Sequence, residues 1–93
     1  LVFHALAANK ADRNMEPFII EVNPPENNSY EVSSHEGEEF MYVLEGELEI
    51  DYGRKIFHVK AGESIYYDSI VPHHVHAAGG KVAKILAVVY APH

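Results

Sequence analysis

The sequence predicts an all-β domain, either a sandwich or a small jelly-roll barrel, and three observations lead there. Short runs rich in Val, Ile, Phe and Tyr recur along the chain. Gly, Pro and Asn punctuate them at short spacing, and almost no stretch is left for helix. Strands so short and so regular fit an antiparallel sandwich or barrel, not a parallel α/β sheet. A jelly roll also removes most free edges, which suits a small domain.

Residues 1–15, LVFHALAANKADRNM, read as a lead-in with an apolar start and weak helical character, and the barrel domain is expected over residues 16–93. Phe18 to Val22 is β-rich, and the Asn and Pro residues from Asn23 to Asn28 make a loop, because Pro cannot donate to a ladder. Tyr30 to Ser33 alternates and is expected to be a strand. Phe40 to Leu44 is a continuous apolar strand, stopped at Glu45-Gly46. Glu47 to Tyr52 alternates strictly, placing Leu48, Ile50 and Tyr52 on one face and three carboxylates on the other. Gly53-Arg54 turns the chain into a strand over Lys55 to Val59, and Lys60 to Glu63 turns it again. Ser64 to Asp68 is a tyrosine-rich strand, and only one of Tyr66 and Tyr67 can face inward. His73 to Ala77 and Lys84 to Tyr90 complete about eight strands, parted by Gly79-Gly80.

A chain of 93 residues is enough for one domain and too short for two. The formal net charge of −7 argues against contact with a nucleic-acid backbone or an anionic membrane surface, both of which call for clustered Lys and Arg. No apolar run approaches the length of a membrane span, and no signal peptide is visible. With no cysteine, disulfides and thiolate metal sites are excluded, and cytoplasm is the default compartment. The chain starts at Leu1 and not at Met, as a processed chain or a piece of a longer one would.

Seven histidines is a high count for this length. His35 stands in SSHEGEE, followed by Glu39 after three residues and Gly46 after six more; Gly62, Pro72 and His73 follow further on. In this pattern the segment resembles the cupin family of small double-stranded β-helix barrels. The first cupin motif runs H-x-H, three or four residues, Glu, six residues, Gly. The second opens on Gly, passes a Pro and supplies a third His, with Asn four positions later. Two positions depart from it: Ser33 replaces the first His and Ala77 the Asn.

The resemblance implies a jelly-roll barrel whose pocket holds His35, Glu39 and His73. Two imidazoles and a carboxylate are a credible site for a divalent Fe, Mn, Ni or Zn ion, weakened by Ser33, since a hydroxyl is a poor replacement ligand. A metal-free polar pocket stands beside it as the alternative. Period 2 puts Ser33 and His35 on one face. It also puts His73 on the face opposite His74 and His76, which are expected at the surface or an interface. His58 is expected to be structural or at the surface.

The phrases HEGEEFMYVLEGEL and AGESIYYDS, followed by VPH, are similar to the C-terminal sensor cupin of XRE-type helix-turn-helix regulators. That likeness implies a small-molecule sensor, the effector half of a transcriptional regulator. Ser33, His35, Glu39 and His73 would orient the ligand, and Met41 and Val43 would enclose it. The alternatives are a metal-dependent enzyme (a dioxygenase, isomerase or lyase) using His35, Glu39 and His73, and a stand-alone barrel with a vestigial site. A homodimer is expected in each case, with Leu1-Val2-Phe3 and the last strand to Tyr90 as candidate interface pieces. Binding through His35 and His73 is expected to weaken below about pH 6, since protonated imidazole cannot coordinate.

Overall fold

The computed structural model describes residues 1–7, 9–25 and 32–92. Eight antiparallel strands run β1 Val2–Ala5, β2 Met15–Val22, β3 Glu38–Glu45, β4 Glu47–Tyr52, β5 Lys55–Lys60, β6 Ser64–Asp68, β7 His73–Ala77 and β8 Ala83–Tyr90. They form a five-stranded sheet in the order β1-β2-β8-β3-β6 and a three-stranded sheet in the order β5-β4-β7. The architecture is all-β, as predicted, and no helix is present among the described residues.

Alternation decides what lies between the sheets. Ile20 and Val22 of β2, Met41 and Val43 of β3, and Ala83, Ile85 and Ala87 of β8 point inward from the larger sheet. Leu48 and Ile50 of β4, Val59 of β5 and Ala77 of β7 meet them from the smaller one. Leu48, Ile50 and Val43 are wholly buried. Glu39 continues the inward row of β3, and His73 continues that of β7. The two residues therefore face each other from opposite sheets, at one end of the core.

Two expectations need correction. The lead-in does not take helical character, because Val2–Ala5 is a strand paired with Phe18–Glu21 of β2. Of the strand expected at Tyr30 to Ser33, Tyr30 and Glu31 lie outside the described residues, and Ser33 makes only an isolated bridge to His73. Pro17 sits within β2 without breaking it. Its carbonyl accepts from the Leu6 amide at 3.0 Å, so its missing N–H lies on the β1 side, and the β8 ladder loses nothing.

Candidate metal centre

Three side chains converge at the open end of the core. Glu39 enters from β3, His73 from the first position of β7, and His35 from the segment that precedes β3. The Nε2 atom of His73 lies 3.1 Å from Glu39 Oε2, and that of His35 lies 3.4 Å from the same oxygen. The donor atoms of all three fall within 4.8 Å of one another. The His73 ring is buried and that of His35 is half exposed, so the cluster opens to solvent on the His35 side.

Backbone contacts aim both rings. His73 Nδ1–H donates to the Val71 carbonyl at 2.8 Å, and His35 Nδ1–H donates to the Glu36 carbonyl at 3.3 Å. Each ring thus turns Nε2 toward the carboxylate. Ser33 exchanges two backbone hydrogen bonds with His73, at 2.8 and 2.9 Å, which pins the start of β7. This answers the loss of the first motif histidine in part: Ser33 contributes through its main chain rather than as a ligand.

The arrangement calls for positive charge. With both Nδ1 atoms protonated, neutral imidazoles would direct two lone pairs at a carboxylate oxygen, which repels them. A proton on Nε2, or a metal ion among the three atoms, resolves this. A histidine that donates its second nitrogen to a backbone carbonyl is the usual outer-shell support of a metal ligand. The residues present therefore fit a divalent ion, held by His35, Glu39 and His73.

Two neighbours complete the cluster: Ser69, which was not singled out in the sequence, and Tyr67, one of the two tyrosines of which one was expected to face inward. Ser69 is fully buried and its hydroxyl donates to Glu39 Oε2 at 2.8 Å. It stands two residues after Tyr67, so the inward row Ile65-Tyr67, extended by one step, would have reached it. Tyr67 packs edge-on against His73, with ring centroids 5.2 Å apart. Burial foremost, and then the Glu39 charge, push its phenol well above the ordinary range. No hydrogen bond of good geometry closes on its hydroxyl among the described residues.

The remaining predicted residues divide. Ser33 and Met41 line a cavity of about 360 Å³ beside the cluster, while Val43 lies deeper, in the core, outside that lining. His58 is exposed on β5. His74 and His76 do lie on the face opposite His73, but His76 is not at the surface. It is buried, with Nε2 3.2 Å from Glu49 Oε2 and its ring stacked on His74. Among the described residues, no helix is long and apolar enough to cross a membrane.

A two-sheet jelly roll with two imidazoles and a carboxylate at its open end defines a barrel with a group able to hold a metal ion. The chain belongs to the Cupin domain family, whose pattern matches residues 18–89. It is 33% identical to "(S)-2-hydroxypropylphosphonic acid epoxidase" of Streptomyces wedmorensis, over 94% of this chain and 47% of that protein. Among solved structures it is similar to Fe(II) HppE in complex with substrate, with a TM-score of 0.81 and 32% identity, covering 96% of this chain and 53% of that one. It is also similar to an HTH_3 family transcriptional regulator from Vibrio cholerae, with a TM-score of 0.77 and 26% identity, covering 98% of this chain and 51% of that one. The chain thus spans about half the length of these relatives.

Proposed function

We propose that the domain is the metal-binding half of a cupin enzyme, with His35, Glu39 and His73 as ligands. The observation that carries this is the shared aim of two Nε2 atoms at one buried carboxylate oxygen. Two histidines and one carboxylate leave coordination positions open, as in non-haem Fe(II) oxygenases. A metal bound there would supply Lewis acidity and, if iron, redox chemistry toward a ligand in the adjoining cavity. The chain's own residues do the rest. Val71 and Glu36 carbonyls orient the rings, Ser69 holds the carboxylate, and Tyr67 and the core beneath keep water from the buried side. The Streptomyces epoxidase and the Fe(II) HppE structure support the enzyme assignment.

The test is calorimetric titration of the metal-free protein with Fe(II) under anaerobic conditions. One equivalent should bind to the wild type and none to Glu39→Ala. Equal weak binding to both would end the proposal.

The likeness to the Vibrio cholerae regulator favours a second reading, a ligand-sensing module attached to a DNA-binding half. In that case the same pocket binds a small molecule without turning it over. For either role we infer a homodimer, paired across the outer face of the five-stranded sheet.

A further inference from the structure

The cavity beside the metal cluster has a polar pole and an apolar wall. Its lining includes the polar residues Ser33, His35, Glu39 and His73, and the wall includes Phe3, Ile20, Met41, Val75, Ile85 and Val89. Among the described residues no Lys or Arg lines it, and the undescribed ones (Ala8, residues 26–31 and His93) contain neither. The wall is built by β1, β2, β3, β7 and β8, so both sheets present hydrocarbon to whatever reaches the ligands.

Charge then limits the occupant. A divalent ion with Glu39 leaves one net positive charge at the pole. One anionic oxygen on the ligand neutralises it. A second negative charge would face the apolar wall with no partner, inside a chain already at −7. We propose that this cavity takes a small molecule with an apolar body and a single oxygen-chelating head of at most one negative charge, and that it disfavours dianions. This rests on the metal-centre proposal above. It also implies that the acid for which the Streptomyces relative is named would meet no Lys or Arg among the described residues lining this cavity, leaving its phosphonate only the metal as a counter-charge.

Two probes share one head and differ in body. 2-Hydroxy-4-methylpentanoate carries an α-hydroxy carboxylate on an isobutyl group, and malate carries the same head on a second carboxylate. (S)-2-hydroxypropylphosphonate is the third probe. Each is titrated into the Co(II)-loaded chain and followed by the visible Co(II) spectrum. The isobutyl acid should bind at least about tenfold more tightly than either dianion. Malate or the phosphonate binding as tightly would overturn the proposal. Phe3→Lys, at the exposed rim of the wall, should reduce that preference severalfold, and an unchanged preference would show that the wall does not set it. Failure to retain Co(II) would count against the metal centre alone. The wall would then be judged in the metal-free chain, by the shift in melting temperature with the same three acids. Retained preference for the isobutyl acid would uphold it there, and no preference would refute it.

Discussion

Tyr67 is where burial and the site's negative charge meet in a single side chain. Its phenol is raised in the folded state by burial first and by Glu39 second. The unfolded chain therefore releases this proton before the folded one does, and stability falls as pH rises. The contribution is intact below the ordinary phenol value near pH 10 and is lost above it. In the metal-free protein, the urea midpoint of the wild type should drop more steeply above about pH 10 than that of Tyr67→Phe. Near neutral pH the two should agree within about 1 kcal/mol, because the variant removes a buried hydroxyl that closes no good hydrogen bond. Parallel alkaline profiles would contradict this account of Tyr67.

At the scale of elements, the stretch between His35 and Glu39 is shaped by a backbone constraint. Gly37 has φ of +120°, and its amide neighbourhood is tied down by the Ser69 N–H, which donates to the Gly37 carbonyl at 2.9 Å. A Cβ here would collide with the Tyr90 carbonyl oxygen of β8. Gly79, with φ of +74°, meets nothing within 4 Å. Gly37→Ala should therefore cost about 2 kcal/mol or more in urea denaturation, and Gly79→Ala only about 1 kcal/mol. Equal losses would show that the clash at β8 is relieved without cost.

The same scale shows what pattern alone can reveal. The bounds of β4, β6 and β7 are legible to the residue, because nearby Gly or Pro marks their ends, and strict alternation also marks the faces of β4. The choice between Tyr66 and Tyr67 needed the fold: Tyr67 is buried and Tyr66 lies outside, its hydroxyl donating to Glu38 at 2.7 Å. β1 is not legible. The Leu and Ala residues in and around it favour helix locally, and it becomes a strand because β2 offers it a ladder from more than ten residues away. His35, Glu39 and His73 could be read from motif spacing. Extending the inward row of β6 reaches Ser69, but nothing in the sequence marks the carboxylate it holds.

On the whole molecule, the outer face of the five-stranded sheet is unusually apolar. One cross-strand row runs Tyr66, Phe40, Val88, Pro17, and the next runs Tyr42, Leu86, Ile19. A groove of about 650 Å³ lies among Met15, Phe40, Tyr66, Val88 and Tyr90. Of the interface pieces expected from sequence, Tyr90 belongs to this face, whereas Phe3 turns inward against Phe18. Light scattering at micromolar concentration should report twice the 10.4 kDa of one chain, and Phe40→Glu should shift it toward monomer. A wild type that runs as a monomer would contradict the proposed pairing.

The claim on which the functional account depends is that His35, Glu39 and His73 hold a metal although Ser33 stands where cupins place another histidine. Elemental mass spectrometry on protein purified without a metal-affinity column measures it directly, with His35→Ala and His73→Ala alongside. The account predicts close to one equivalent of a first-row divalent metal in the wild type, lost in both variants. Metal far below one equivalent, also after reconstitution, would contradict it and leave a polar pocket whose cation is a proton.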